Sequence, residues 1–373
     1  MTRRLLTLLA ALALVVAACG GDTTDETDDT GGDTTTTEAA EETTTTAAEE
    51  TTTTAAAAPE VGTEDNPIQV LFVPSVSADE IVAGGELLDQ TLEEATGLVF
   101  EVSVPASYAA TVEELCAAPD RSMGFIPAQA YVLANDLCGV DIQLKAERFG
   151  YTEYWTQYVV PRDSDIQSLE ELAGLTWAYP DPGSTSGFLV PSGELGNLGV
   201  EPGEGVEAGG HTGVARAVAS GEAEFGTQFF SPPTNAAGEV LWDGTAETAD
   251  VPEELLASCG PDAEGDLTCG DDFFVNDARA GLAEEEPEVM QKVRILAISD
   301  PIPNDGVAFG PDFPEDLKEQ IVDAIVNFAI DDPEGFETAF DAYSWDNVAT
   351  TQDSEFDSIR AIVQALGIEL GDL

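Results

Sequence analysis

Basic residues are scarce in this chain of 373 residues. Lysine and arginine together number 12, against 73 aspartates and glutamates, and the formal net charge at pH 7 is −61. A protein that binds nucleic acid needs rows of cationic side chains to neutralise phosphates, so we expect no nucleic-acid partner. Such a charge favours solubility and carries no information about the fold.

Histidine and the usual metal-binding patterns are nearly missing as well. The chain has one histidine, His211, and five cysteines, none of them in a C-x-x-C pair. His211 also lies far along the sequence from the cysteines. Zinc sites need three or four such ligands, so we predict no metal site and no cofactor.

Long apolar runs are absent after the N-terminus. The first 19 residues, MTRRLLTLLAALALVVAAC, place two arginines before an apolar stretch that ends in small residues, which is the pattern of a secretory signal peptide. Residues 16–19, Val-Ala-Ala-Cys, resemble the lipobox of bacterial lipoproteins, in which the cysteine is lipidated after cleavage. We therefore predict a signal peptide over 1–19, a lipid on Cys19, and an extracytoplasmic protein that is anchored to the bacterial cell membrane without spanning it.

Residues 20–64 contain no aromatic residue and consist mainly of Thr, Ala, Glu and Asp. Such a segment cannot bury enough apolar surface to form a core. We predict a disordered tether between the anchor and a globular part that begins at about residue 65.

The four remaining cysteines fall into two local pairs. Cys116 and Cys138 flank one apolar segment, and Cys259 and Cys269 bracket the turn-rich GPDAEGDLT. Because disulfides are expected in an exported protein, we predict one disulfide in each pair.

Strand-like and helix-like runs alternate through the globular part. Strands are indicated at 68–74 and 98–105, and helical patterns at 79–96 and 108–117, with further helices at 212–220, 315–330 and 354–366. This alternation predicts an α/β protein with mostly parallel sheets. The remaining length is sufficient for two lobes.

The hydroxyl-rich segment 181–193, DPGSTSGFLVPSG, follows a predicted strand at 175–179. Pro182 and Gly183 break the strand, after which Ser184, Thr185 or Ser186 can cap a helix. A strand, a hydroxyl-rich turn and a helix N-terminus together direct unpaired N–H groups at one place, which favours an oxyanion site. An ordinary helix cap is the alternative interpretation.

Seven segments, in order, resemble the phosphate, phosphite and phosphonate binding proteins of ABC importers. They are VSVPASYAATVEEL, FIPAQAYVLA, RDSDIQSLEELAG, DPGSTSGFLVPSGEL, GGHTGVARAVASGEAEFG, ISDPIPNDGVAF and DSEFDSIRAIVQALG. The resemblance implies the fold of type II periplasmic binding proteins, in which two lobes, each a mostly parallel sheet flanked by helices, enclose a ligand cleft. Lobe 1 would comprise 65–161 and 299–373, and lobe 2 would comprise 162–298. It further implies a monomer that binds a small phosphorus oxyanion and delivers it to an ABC transporter permease.

The resemblance also implies which residues form the anion pocket. They are Tyr108, Ser184, Thr185, Ser186, Gly187 and His211, with Tyr131 as a wall. Three hydroxyls and the N–H groups of Ser186 and Gly187 would supply donors without a lysine or arginine. His211 would add a donor, or a charge if protonated. Thr212 stands where the family usually has an aspartate, which disfavours an aminoalkylphosphonate as the ligand.

Three alternatives stay open. The same fold can bind another small anion, such as a sulfonate, and a binding protein can also present its ligand to a sensor kinase. A serine hydrolase around GSTSG is disfavoured, because the G-x-S-x-G pattern would need serine at position 185, where this chain has threonine. A catalytic triad would also have to use His211, with no acid evidently placed to orient it. We therefore predict that the protein is not an enzyme.

Overall fold

The computed structural model describes residues 60–76, 78–263 and 265–373. The predicted signal peptide, Cys19 and all but the last five residues of the predicted tether lie outside the described residues. Within these ranges, no helix combines the length and the apolar character that a membrane crossing requires.

Strands and helices alternate through most of the described chain, as the sequence patterns predict. The strands are β1 (Ile68–Phe72), β2 (Phe100–Ser103), β3 (Ser122–Ile126), β4 (Asp141–Glu147), β5 (Glu153–Pro161), β6 (Trp177–Tyr179), β7 (Gly205–Glu207), β8 (Phe225–Phe230), β9 (Cys259–Pro261), β10 (Leu267–Cys269), β11 (Val293–Ile298), β12 (Ile302–Pro303), β13 (Gly306–Phe309) and β14 (Asn347–Thr350). The α-helices are α1 (Ala78–Thr96), α2 (Tyr108–Ala117), α3 (Ala128–Cys138), α4 (Val190–Leu198), α5 (His211–Ser220), α6 (Ala246–Ala249), α7 (Val289–Lys292), α8 (Glu315–Asp331), α9 (Pro333–Ala339) and α10 (Asp357–Leu366).

The first sheet has the strand order β14-β4-β13-β3-β1-β2. Its interior strand β1 is apolar at most positions because both of its faces are covered. Ile68, Val70 and Phe72 pack in one core with residues of α1 and α8, whereas Leu71 belongs to a second core with residues of α2 and α3. The sheet is therefore a layer between two groups of helices.

The second sheet has the order β11-β5-β8-β6-β7, and β12 also pairs with β5. Strand β6 runs parallel to β7 and β8, while β5 runs antiparallel to β8 and β11. Helix α5 packs on β5, β6 and β8, and helix α4 follows β6 through a hydroxyl-rich turn.

The two-lobed α/β fold is confirmed, and most strands of each sheet run in one direction, as predicted, although each sheet also contains antiparallel pairs. In the first sheet, β13 runs antiparallel to both β3 and β4; in the second, β5 runs antiparallel to its neighbours. The parallel strands of each lobe end near the cleft, whereas β13 and β5 arrive from the opposite lobe and start there. A strand that begins at the cleft must run against strands that end at it.

Two strands also lie in a different sheet from the one that the predicted boundaries imply. Strand β5 falls in the segment 65–161 that was assigned to lobe 1, and β12 falls in 299–373, yet both pair within the second sheet. The chain passes between the sheets at 148–152 and again at 304–305. Helix α10 packs against α3 of the first lobe and α4 of the second.

Both predicted cysteine pairs lie at bonding distance. The sulfur atoms of Cys116 and Cys138 are 2.02 Å apart and join the ends of α2 and α3. Those of Cys259 and Cys269 are 2.05 Å apart and join β9 to β10. The region between β8 and β11 is otherwise irregular, as its many glycines, prolines and acids indicate.

Candidate functional site

A pocket lies between the lobes, where strands of both sheets end. The first lobe contributes the residues after β1 and β3 and the start of α2, and the second contributes the turn after β6, the start of α5 and the end of β8. The empty volume is about 560 Å³, including the part that is open to solvent. Ligands of α/β proteins commonly bind at this end of the strands.

The hydroxyl-rich turn forms one wall of this pocket. Ser184 is the N-cap, its Oγ accepts the N–H of Gly187 at 3.1 Å, and the helix opens with a π-helical turn, Thr185–Leu189, that continues into α4. Ser184, Thr185 and Ser186 line the pocket and are each 1% exposed. The first turn of a helix has no carbonyl partners for its N–H groups, and π-helical turns are frequent at functional sites.

Two threonines of the second sheet fix this turn. The hydroxyl of Thr156 on β5 donates to the carbonyl of Ser186 at 2.7 Å, and that of Thr227 on β8 donates to the carbonyl of Gly187 at 2.5 Å. The turn is therefore held before any ligand binds, which lowers the entropic cost of binding.

Gly187 has a different role from the predicted one. Its N–H donates to Ser184 and is not available to a ligand. A Cβ at this position would lie 2.3 Å from Cδ of Pro180. Glycine is therefore required here for close packing of the turn against the preceding segment.

His211 is the first residue of α5 and is 4% exposed. Its Nδ1 accepts the N–H of Phe229 at 3.1 Å, and its Nε2 lies 3.3 Å from Oγ of Ser184. Burial lowers the pKa of His211 to about 3, and the nearby charge of Arg148 adds to this effect. A neutral imidazole with an accepting Nδ1 carries its proton on Nε2, so His211 presents a donor to the pocket and not the predicted alternative, a charge.

Three tyrosines line the pocket, of which Tyr108 and Tyr154 are buried and Tyr343 is partly buried. Tyr108 is the first residue of α2, as predicted, whereas Tyr154 and Tyr343 were missed. Burial raises the pKa of all three hydroxyls, so they remain protonated. The hydroxyl of Tyr343 donates to the carbonyl of Val73 at 2.7 Å.

Tyr131 does not line the pocket, contrary to the prediction. It lies on the face of α3 that packs on α10, where its ring meets that of Phe356 edge-on at 4.9 Å. Its hydroxyl donates to Asp353 at 2.7 Å. Tyr131 therefore contributes to the packing of α3 against α10.

Gln129, two residues before Tyr131, connects the lobes instead. Its backbone N–H donates to Oγ1 of Thr185 at 2.9 Å, and its side-chain Nε2 donates to the carbonyl of Pro182 at 3.2 Å. The N–H of His211 also reaches across the cleft, to the carbonyl of Ser75 at 3.3 Å. These bonds hold the lobes in contact around the pocket.

Arg148 and Asp305 form an ion pair at the pocket. The pocket therefore contains a cationic side chain beside the hydroxyl and N–H donors that the sequence predicts. Each residue lies on one of the two segments that pass between the lobes, and sequence reasoning had no motif that would have placed them together. The other donors of the described residues that line the pocket are neutral groups, since burial keeps His211 uncharged.

No group of three or more histidine, cysteine, aspartate or glutamate side chains in residues 60–76, 78–263 and 265–373 is arranged to hold a metal ion.

Comparison with known proteins agrees with this geometry. The family model described as "ABC transporter, phosphonate, periplasmic substrate-binding protein" matches residues 70–356. The phosphate-import protein PhnD of Mycolicibacterium smegmatis is 28% identical over 252 residues, which cover 62% of this chain and 71% of that relative.

Two solved structures share the fold. PhnD1 from Prochlorococcus marinus in complex with methylphosphonate has a TM-score of 0.59 and 16% identity, and the match covers 80% of this chain and 98% of that one. A binding protein component of an ABC phosphonate transporter from Pseudomonas aeruginosa has a TM-score of 0.57 and 18% identity, over 79% of this chain and 84% of that one. Since the family model spans nearly the whole globular part, this chain belongs to the phosphonate-binding family of periplasmic substrate-binding proteins of ABC transporters.

Proposed function

We propose that this protein binds phosphate, phosphite or a small alkylphosphonate between its lobes and delivers it to an ABC transporter permease. The observation that carries this proposal is the convergence of donors at one end of the pocket. Ser184, Thr185 and Ser186 stand at a helix N-terminus, and the Nε2–H of His211 lies beside them. A tetrahedral oxyanion has enough oxygen atoms to use such a set of donors.

Local dipoles must supply the affinity, because the protein as a whole repels anions. Its net charge is −61, and long-range attraction therefore cannot bring an anion to the cleft. Inside a closed cleft, hydrogen bonds to an anion are stronger than in water, since the surrounding dielectric constant is lower. The bonds that Gln129 and His211 make across the cleft hold the two lobes together beside the pocket.

In this proposal, any substituent that the phosphorus atom of the ligand carries besides its oxygens is small and uncharged. The acid that lines the pocket is Asp305, and Arg148 already pairs with it. An ammonium group would have to compete with that guanidinium. Thr212, which the sequence comparison singled out, supports no argument about the ligand, because it packs against Gly281 and does not line the pocket.

The geometry argues against the serine hydrolase alternative. Ser184 does lie beside His211, but a general base must present an unprotonated nitrogen to the serine hydroxyl. Here the N–H of Phe229 occupies Nδ1, so the proton of the imidazole is on Nε2, which faces Ser184. This histidine donates a hydrogen bond and is not placed to remove a proton.

The same proposal includes export, lipid attachment to Cys19, the tether over 20–64, a monomeric state and both disulfides. The first 64 residues support export, the anchor and the tether, and the two sulfur–sulfur distances support the disulfides. The monomeric state rests on the family resemblance alone. Replacing Cys19 with alanine should move the protein from the membrane fraction to the soluble fraction. Unchanged membrane association of that variant would contradict the lipid anchor.

Calorimetry on residues 20–373, refolded after unfolding to remove carried-over ligand, tests the binding function. The panel is phosphate, phosphite, methylphosphonate, 2-aminoethylphosphonate, sulfate and a short alkylsulfonate. Submicromolar binding of one phosphorus compound, weakened in Ser186→Ala, is the expected result. Binding of the sulfonate alone would replace phosphorus by sulfur in the proposal and leave the fold assignment unchanged.

A further inference from the structure

The two segments that pass between the lobes are tied together by Asn304, which is fully buried. Its side-chain Nδ2 donates to the carbonyls of Ala146 at 3.0 Å and Tyr151 at 2.9 Å, and its backbone N–H donates to the carbonyl of Thr152 at 3.1 Å. We call these segments the first crossing (148–152) and the second crossing (304–305). The chain on both sides of residue 148 is therefore bonded to the second crossing.

Arg148 extends this connection to a third segment. Its NH1 donates to Oδ1 of Asn304 at 3.0 Å, its NH2 pairs with Asp305, and its Nε donates to the carbonyl of Tyr343 at 2.7 Å. One guanidinium thus joins both crossings and the segment that leads into β14. The same side chain lines the pocket.

Backbone strain is concentrated beside this guanidinium. Phe149, with φ of 52°, and Ser344, with φ of 54°, are the residues other than glycine that have positive φ in the described ranges. Phe149 follows Arg148, and Ser344 follows its acceptor Tyr343. A residue with a Cβ adopts this conformation only where the surrounding structure enforces it, and such residues cluster at clamps and switches.

The positive charge of Arg148 links its hydrogen bonds to the anionic ligand. Because His211 is neutral, Arg148 is the cationic side chain among the described residues that line the pocket. An anion held by the donors of the opposite wall attracts the guanidinium toward the pocket. In that position the guanidinium also bonds Asn304, Asp305 and Tyr343.

We propose that Arg148 is a positioning residue that couples anion binding to closure of the two lobes. The bound anion stabilises the guanidinium in the place where it fixes both crossings and the strained residues beside them, and the cleft then stays closed. Removing the guanidinium uncouples anion binding from closure of the lobes, so that ligand enters the cleft without keeping it closed. The proposal rests on the anion-binding function proposed above.

Hydrogen–deuterium exchange provides the test, because closure protects defined amides. The N–H groups of Gln129 and His211 are bonded across the cleft, and peptides that contain them report closure directly. The samples are residues 20–373 of the wild type, Arg148→Gln and Arg148→Lys, each without ligand and saturated with inorganic phosphate or methylphosphonate. Ser186→Ala is the matched control, since it removes a pocket hydroxyl and leaves the crossings intact.

Saturating ligand should slow exchange of both peptides at least tenfold in the wild type and in Ser186→Ala, although the latter needs more ligand to saturate. Both Arg148 variants should show less than a threefold change at saturation, with faster ligand dissociation. Arg148→Lys retains the charge beside Asp305 and so keeps the test valid if Arg148→Gln does not fold. Full protection in Arg148→Lys at saturation would overturn the proposal, whereas failure of the wild type to bind either ligand would overturn the binding function itself.

Discussion

The Nδ1 atom of His211 accepts the backbone N–H of Phe229 at a distance of 3.1 Å. Helix α5 supplies the imidazole and strand β8 supplies the amide, so the packing of these two elements determines which nitrogen carries the proton. The Nε2–H group is consequently fixed in its direction, toward Ser184 and the pocket. A fixed neutral donor of this kind can bind an anion without any protein group changing its protonation state.

The first prediction concerns affinity. Replacing His211 by phenylalanine removes a hydrogen bond to a charged ligand and should weaken binding by about 1.5–3 kcal/mol, or 10- to 150-fold. Glutamine can place an amide donor near the position of Nε2, so His211→Gln should lose less affinity than His211→Phe. Calorimetry with the ligand that the wild type prefers compares the two, and equal affinities for wild type and His211→Phe would contradict the assigned contact.

The second prediction concerns stability at low pH. The pKa of His211 is about 3 in the folded protein, against 6.5 ordinarily, so below pH 6.5 the unfolded chain takes up a proton that the folded protein does not. The contribution of the neutral imidazole is complete above pH 6.5 and should decrease by about 1.4 kcal/mol per pH unit as the pH falls toward 3. Urea unfolding of the wild type and His211→Gln at pH 7.5, 5.5 and 4.5 measures this difference. A difference that does not change with pH would show that the imidazole titrates normally.

The third prediction concerns a buried ion-pair network in the second lobe. Arg279 is 1% exposed and bonds to both Asp277 and Asp250. Burial alone would raise the pKa of Asp250, but Arg279 and Arg162 outweigh it and hold that pKa below its usual value. Removing the arginine leaves the buried carboxylate of Asp277 without a cationic partner, so Arg279→Ala should lower the free energy of unfolding by about 3–5 kcal/mol.

Arg216 offers the matched control for this substitution, since it pairs with Glu285 at the surface and is 46% exposed. Exposed pairs contribute about 0–1 kcal/mol, and Arg216→Ala should remain within that range. Denaturant unfolding of both variants makes the comparison. Similar losses in the two would mean that the network around Arg279 does not stabilise the irregular region.

The fourth prediction concerns the disulfides. Cys116–Cys138 closes a loop with a sequence separation of 22, and Cys259–Cys269 one of 10. Chain-entropy arguments give each bridge about 3 kcal/mol, with slightly more for the longer loop. Replacing each pair by alanines should reduce the free energy of unfolding accordingly, and mass measurement with and without reductant shows whether the thiols are free. Four free thiols in the exported protein would refute both bridges.

The part of the site that lies in one short stretch of sequence could be predicted from the strand, turn and helix-cap patterns of that stretch. The segment around Ser184, Thr185 and Ser186 carries its strand, turn and helix cap within about ten residues, so its conformation could be inferred without the rest of the fold. His211 and Tyr108 begin helices, and the resemblance assigned them to the pocket. The structure places all five there.

The remainder of the site depends on how distant segments meet. Whether Tyr131 or Gln129 faces the cleft depends on which side of α3 is covered by α10, and α10 lies more than two hundred residues further along the chain. Arg148 and Asp305 meet because two crossings run side by side between the lobes. No periodicity or turn motif in either segment encodes that proximity.

The antiparallel insertion of β13 has a consequence for biosynthesis. Strands β3 and β4 both pair with β13, and the whole second sheet lies between β4 and β13 in the sequence. Until the segment from residue 306 onward has crossed the membrane, β4 has no partner and one edge of β3 is open, so unpaired strand edges are exposed to other chains. The first lobe cannot be completed before the second, and a chain that is cut before residue 306 should aggregate even though it contains the whole second sheet. Export of this protein must therefore deliver the segment that contains β13 before β3 and β4 can be joined in the first sheet.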